Sequence, residues 1–410
     1  MEVAGVRVLV SPGATAGALA AITFGVLLGT CSGLVPGLHV NSLALLLAAA
    51  APLVPGPPHL VGAALLAAGV THSFLDVVPT LALGVPDPAM AVSALPGHRL
   101  VMGGRGREAL RVSALGSGVA VAVAFVLGLP VTRAARVLAP VVYEHIAVVV
   151  AALLVVLLAG EQSWRARAGG VLAIVASGAL GVVALPLDPS GVAPTGDALA
   201  PLFAGLFGAP VLLAAYRGAG VPEQDDAVVA DGPRSVAGPG FAGSLAGAAV
   251  AYVPGVSGAI AAVFAVEATG VDGDRAFVAA LSGVNTANTV FALFALFALG
   301  DPHTGVLVAF ERASLPRTLP LLLASIALAA CAGALLVPVL GDRYFRLVRA
   351  LNHRRLTAAV CVLLAVLAWV FAGWLGVGLL AVATLVGLIP PHFGARRVHL
   401  MAVLLVPIAL

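Results

Sequence analysis

Apolar stretches long enough to cross a bilayer as helices, roughly 20 residues each, recur along the whole chain between short polar interruptions. They fall near 16–35, 40–54, 60–85, 112–130, 137–160, 169–186, 198–216, 241–254, 256–270, 276–300, 318–340, 356–374 and 376–391, with a short tail at 397–410. The one long polar interruption, 217–239, carries Glu223, Asp225, Asp226, Asp231, Gly232 and Pro233 and reads as a flexible linker. This pattern predicts an all-α polytopic membrane protein of about 10–14 membrane segments. The apolar run from Ala16 to Leu28, preceded by Arg7, is signal-like, but it continues into a motif that recurs later and so belongs to the fold.

That recurrence divides the chain. Gly25-x3-Gly29-x5-Val35-Pro36-Gly37 returns as Gly243-x3-Gly247-x5-Val253-Pro254-Gly255, and Ala82-Leu83-Gly84-x-Pro86 returns as Ala298-Leu299-Gly300-x-Pro302. Two ordered blocks at nearly one offset indicate an internal duplication. A first repeat spans 14–216, the linker 217–239, and a second repeat 240–410. Pro-Gly within an apolar stretch breaks a helix, and backbone freed in this way must be buried in protein or line a wet cavity. The segments 16–54 and 241–270 are therefore expected to be broken helical hairpins. Five spans between them place the second hairpin on the opposite side from the first, which makes the repeats inverted.

Composition agrees and excludes other chemistries. Of 410 residues, 61% are hydrophobic and 10% charged, too apolar for a water-soluble domain. All 21 basic residues are arginine, so a Walker-type phosphate loop or a lysine Schiff base has no lysine to use. Sixteen of the 21 arginines fall on one side if the 87–111 loop is cytoplasmic, which places the N-terminus outside. Arg99, Arg105, Arg107 and Arg111 then anchor the cytoplasmic face. The modest net charge of +3 is topological and gives no reason to expect nucleic acid as a partner. Cys31, Cys331 and Cys361 are widely separated and read as small core residues.

Broken helices meeting in a duplicated bundle point to a secondary transporter, with half-helix amides directed at an anion and freed carbonyls available to a cation. The first hairpin offers Ser32, Pro36, Gly37, His39, Asn41 and Ser42; the second offers Pro254, Gly255, Ser257 and Gly258. The spans that follow carry Thr71, His72, Ser73 and Asp76, and Asn285, Thr286, Asn288 and Thr289. An ionisable residue inside such a span is a functional candidate by default. Asp76 is the candidate for coupling to Na+ or H+, with Na+ placed near Asp76 or Asn285. No other cofactor and no catalytic residue is expected. Glu144 and His145 read as a snorkelling interfacial pair.

These residues resemble a known family. Gly29-x6-Pro36-Gly37-Leu38, the Gly84-Val85-Pro86-Asp87-Pro88 turn, and Gly97-His98-Arg99 leading to Gly104-Arg105-Gly106-Arg107-Glu108-Ala109-Leu110 are similar to the large membrane subunit (TctA) of tripartite tricarboxylate transporters. Pro254-Gly255-Val256 and Leu299-Gly300-Asp301-Pro302 are similar to that family's second motif pair. Leu388-Ile389-Pro390-Pro391 and Arg396-Arg397-Val398-His399-Leu400-Met401 look like its shorter, archaeal-type branch. The resemblance implies a multi-pass permease of a prokaryotic plasma membrane, moving a small organic anion such as a di- or tricarboxylate by alternating access. It also implies lipid surroundings, a small membrane subunit and an extracytoplasmic binding protein as partners. Gly69-Val70-Thr71-His72-Ser73-Phe74 departs from the glycine-rich run usual there, so citrate itself is not implied.

Two alternatives belong to other readings. Pro254-Gly255-Val256-Ser257-Gly258 is similar to a signature of polyprenyl-phosphate translocases, whose phosphate would suit the same amides. His72 and Asp76, at i and i+4, could serve an intramembrane hydrolase, although neither sits in a recognised catalytic motif.

Overall fold

A computed structural model of the chain describes residues 2–3, 6–7, 11–54, 56–84, 94–193, 198–216, 218, 220–226, 234–253, 258–271, 273–300, 302 and 304–410. Apart from a two-residue antiparallel pairing of β1 (Glu2–Val3) with β2 (Val6–Arg7), the regular structure of these residues is helical. The first half comprises α1 (Pro12–Gly33), α2 (Val40–Ala50), α3 (Pro58–Leu75), α4 (Val77–Leu83), α5 (Ala94–Met102), α6 (Gly106–Glu144), α7 (Ile146–Ala159) and α8 (Trp164–Ala184). Then α9 (Leu199–Phe203) runs through a wide π turn into α10 (Ala209–Ala215). The second half holds α11 (Arg234–Tyr252), α12 (Gly258–Thr269), α13 (Asp274–Leu299), α14 (Gly305–Arg312), α15 (Leu319–Ala350), α16 (His353–Gly387), α17 (Ile389–Phe393) and α18 (Ala402–Ala409).

Among the described residues, seven helical stretches are long and apolar enough to cross a membrane, and five shorter apolar helices accompany them. The chain is an all-α multi-pass membrane protein. Its two most polar spans are also its most enclosed: 89% of the apolar window of Pro58–Leu83, and the same share of Asp274–Leu299, is buried. Other helices wrap these two, so Thr71, Ser73, Asp76, Asn285, Thr286 and Thr289 are buried in protein; in lipid an unsatisfied polar group costs several kcal/mol.

Glycine is what admits the wrapping helices. On α1, Gly25 and Gly29 lie against the carbonyls of Ala64 and Ala68 on α3. On α11, Gly243 and Gly247 lie against the carbonyls of Ala280 and Val284 on α13. A Cβ at any of the four would fall within contact distance of backbone, so only a hydrogen fits there. The same paired contacts thus occur twice, at the spacing of the sequence motif. Gly84 and Gly300 also match: each ends its helix in the left-handed conformation, with φ of 66° and 79°, and donates its N–H to the carbonyl four residues back.

The apolar pattern is redrawn in several places. The expected spans 112–130 and 137–160 are one helix, α6, from 106 to 144, followed by the 14-residue α7. Pro130 and Pro140 lie inside α6, as do Arg133 and Arg136, which fall between those two expected spans. At 39 residues α6 is about 58 Å long, far more than the roughly 30 Å of hydrocarbon, so it extends beyond the membrane. Glu144 and His145 lie exposed at its end, consistent with an interfacial pair. Cys31 and Cys331 are exposed and Cys361 is half-buried, which corrects their assignment to the core; a thiol is apolar enough to face lipid.

Residues 220–226 of the linker are not a free tether. Gln224 accepts from Gly106 N–H (2.6 Å) and donates to the Val101 carbonyl (3.1 Å), while Asp225 N–H donates to Gly104 O (2.8 Å). Residues 234–239, assigned to the linker, already belong to α11. In the first hairpin the helix does break, between Gly33 and Val40, but its arms part company. Arm α1 packs along α3, whereas α2 packs on α14 of the second half. The tip of the second hairpin, including Pro254, Gly255 and Ser257, lies outside the described residues.

The expected division near residue 375 is a bend in α16 at Gly373 (φ 59°), and the nearby Val370 carbonyl is satisfied by Ala193 N–H at 2.9 Å. The C-terminal tail is pinned by Glu161, whose Oε1 accepts from Arg396 N–H (2.9 Å), Arg396 Nε (3.3 Å) and His399 Nε2 (2.7 Å). Burial alone would raise the Glu161 carboxyl, but the Arg396 amide, the imidazole and the guanidinium outweigh it and hold it below its ordinary value.

Gly29→Ala is expected to destabilise the protein by about 1–3 kcal/mol through overpacking against α3, seen as a lower melting temperature. Gly13→Ala, where nothing lies within 4 Å, leaves it unchanged. The depressed Glu161 carboxyl favours the native state above the unfolded-chain value and loses that contribution as pH falls through the native one. Glu161→Gln should therefore melt earlier than wild type at neutral pH, and the gap should close below about pH 4; a gap independent of pH would contradict this.

Candidate functional site

The helix breaks and the two polar spans meet at one cavity of about 220 Å³. Its wall contains His39, Asn41, Ser73, Gly258, Asn285, Asn288 and Thr289, which are expected site residues from both halves. Val40, Thr304, Gly305, Val306, Leu199, Phe203, Val250, Met401 and Leu404 complete the lining. Pro36 and Gly37 do not line it; Gly37 sits against Leu364 and serves as the turn, with φ of 77°. Ser32, His72 and Asp76 stand behind the wall. Pro254, Gly255 and Ser257 directly precede Gly258 in the chain but lie outside the described residues.

What the lining residues share is position: they stand at helix starts. Val40 and Asn41 open α2, Leu199 opens α9, Gly258 opens α12, and Gly305 and Val306 open α14. Each helix start brings the positive end of its helix dipole to the cavity. Four such ends around one small cavity create a positive potential without a formal charge, and no arginine occurs among its described lining residues. Asn288 Oδ1 and Thr304 Oγ1 are buried there without a hydrogen-bond partner, so the wall retains polar capacity.

Side chains fix two of these starts in place. His39 Nδ1 accepts from Asn41 N–H (2.9 Å) and caps α2. Accepting at Nδ1 leaves the proton of the neutral ring on Nε2. Asn41 Oδ1 accepts from Gly305 N–H (3.1 Å), so a first-half side chain holds the first residue of α14. The break in one half is thereby locked to a helix start in the other.

Behind the wall, Asn285 links the cavity to the buried carboxylate. Its Nδ2 donates to Asp76 Oδ2 (3.0 Å) and to the Ser73 carbonyl (3.2 Å), and Asn285 itself faces the cavity. Asp76 is buried at the junction of α3 and α4, where its carbonyl accepts from Thr80 Oγ1 (2.8 Å). His72 is wholly buried and turns the other way, to Ser32 Oγ on α1 (2.9 Å). Although His72 and Asp76 are one turn apart, each therefore engages a different neighbouring helix. A serine and threonine ladder ties α6 to α13: Ser113 to Ser282 (2.8 Å) and Thr286 to Ser117 (2.9 Å).

Sequence reasoning missed part of the wall. Thr304-Gly305 had a signal, a β-region threonine opening a short helix after the Gly300 cap. Met401 and Leu404 gave none, because an apolar tail residue carries no mark of the cavity it will meet.

Comparison with known proteins identifies the family. The family model described as "Tripartite tricarboxylate transporter TctA family" matches residues 19–402. A protein of Methanocaldococcus jannaschii, described as "Uncharacterized protein MJ1079", is 29% identical over 195 residues, which is 47% of each chain. The match thus spans about half the length of that curated relative. No solved structure matches the chain. The family match covers nearly the whole chain, on a multi-pass helical fold: this chain belongs to the tripartite tricarboxylate transporter TctA family.

Proposed function

We propose that the protein is a secondary active permease of small organic anions, di- or tricarboxylates, coupled to a Na+ or H+ gradient. The observation that carries this reading is the convergence of four helix starts on a cavity that also presents Asn285, Asn288, Thr289 and Thr304. Such a site stabilises a carboxylate by dipoles and neutral donors. It also releases its cargo more readily than a buried arginine would, which suits turnover. Asp76, reached through Asn285, is the group whose protonation or Na+ occupancy would alter the cavity wall.

The duplicated glycine contacts support an inverted repeat of 14–216 and 240–410, with each half presenting a broken segment and a polar helix to the shared site. Rocking of one such unit against the other would alternate access. Within the family's usual assembly, a small membrane subunit and an extracytoplasmic binding protein would join it in the plasma membrane.

Thermal unfolding of the purified protein needs no companion subunit and tests binding directly. Succinate or citrate is expected to raise the melting temperature, and Na+ or acidification to enlarge the effect. Asn288→Leu should weaken binding about tenfold or more, the value of one hydrogen bond to a charged group. Asp76→Asn should keep carboxylate binding but lose its dependence on Na+ or pH. Stabilisation by a short-chain polyprenyl phosphate, with none by any carboxylate, would overturn the reading.

A further inference from the structure

A second cavity, of about 560 Å³, opens at the arginine-rich face between the first turns of α6 and the last third of α15. Arg107 and Arg111 project from α6, Arg343 and Arg346 from α15, with Asp226 and Asp342 among them. Asp342 is shared by Arg107 Nε (2.6 Å) and Arg346 (3.0 Å), and Asp226 pairs with Arg107 Nη1 (2.9 Å). Four guanidinium groups against two carboxylates leave the described lining with a surplus of two positive charges. Of the acids nearby, Glu223 pairs with Arg349, and Glu108 with Arg105 and Arg275. The start of the 39-residue α6 adds the positive end of its dipole.

The lower edge of the cavity is apolar. Val339, one turn below Arg343, lines it, and Leu335, one turn further, is 71% exposed. On the facing helix, Leu115 stands exposed one turn below Arg111. Gly341 lies against Leu110, bringing α15 close to α6 at the cavity floor. A charged mouth therefore sits where the apolar stretches of both helices begin, above an apolar lane that continues toward the membrane centre.

We infer that this cavity binds the phosphate headgroup of an anionic phospholipid, whose acyl chains lie along Leu115, Val339 and Leu335. A soluble anion would use the arginines but have no use for the lane; a zwitterionic lipid would use the lane but not the surplus charge. The site is separate from the cavity at the helix breaks and does not depend on what that cavity transports.

The test is binding of dioleoyl phosphatidylglycerol to the full chain in detergent, read by native mass spectrometry and thermal unfolding. Dioleoyl phosphatidylcholine, glycerol 3-phosphate and inorganic phosphate are run beside it. Phosphatidylglycerol is expected to bind and stabilise, to weaken as salt rises, and to be displaced poorly by either soluble phosphate. Arg111→Gln with Arg343→Gln should weaken it about thirtyfold, taking each arginine at its usual worth near a charged surface. The matching pair of lysine substitutions should retain most of the affinity. Equal binding of phosphatidylcholine, displacement by glycerol 3-phosphate at equal concentration, or an unchanged glutamine variant would each overturn the inference. If the glutamine variant does not fold, the salt dependence in wild type still decides: affinity indifferent to salt would overturn it too.

Discussion

Within a bilayer every backbone polar group must find its partner inside the protein, and this constraint shapes the structure from its sequence to its site. A helix that stops in mid-membrane exposes N–H groups at one end and carbonyls at the other, so the break is tolerated only where protein or a polar cavity receives it. Here α1 stops at Gly33 and α2 restarts at Val40, while α11 stops at Tyr252 and α12 restarts at Gly258. The restarts, with those of α9 and α14, face one cavity. Positive potential at that cavity thus follows from how the breaks are housed, and it is the ground for proposing an anion there.

Housing the breaks requires close packing around polar helices, and that explains the repeated glycines. Gly25 and Gly29, like Gly243 and Gly247, let one helix rest on the carbonyls of the next, which shields α3 and α13 from lipid. Shielding allows α3 to carry His72 and Asp76, and α13 to carry Asn285, Asn288 and Thr289, at little cost in exposed polarity. The cross-links then become specific: Asn41 holds Gly305, and Asn285 holds Asp76. Each bond joins the first half to the second, so a change at one wall of the cavity is felt by the other.

Much of this was legible in the residues. Pro36-Gly37, the recurring glycine blocks, and polar residues at i, i+3 and i+4 in otherwise apolar spans are local signals, and they identified seven of the residues that line the cavity. The misreadings have a common cause. Proline and arginine near residues 130–136 suggest a loop by local propensity, yet α6 runs through them because it is long and partly outside the apolar layer. The acidic 217–239 segment suggested a tether, whereas Gln224 and Asp225 are pinned by backbone groups far away in sequence. Nor could local pattern show that α2 would leave α1 for α14, since partner choice between apolar helices depends on shape across the whole bundle.

The claim on which the rest turns is that an anion sits among helix starts and is not held by a cationic side chain. The most direct measurement is a structure of the protein determined by electron cryomicroscopy in saturating succinate. The account predicts ligand density in the cavity between His39, Gly258, Asn288 and Gly305. Density at the arginines of the charged face, with the cavity between the helix starts empty, would contradict it.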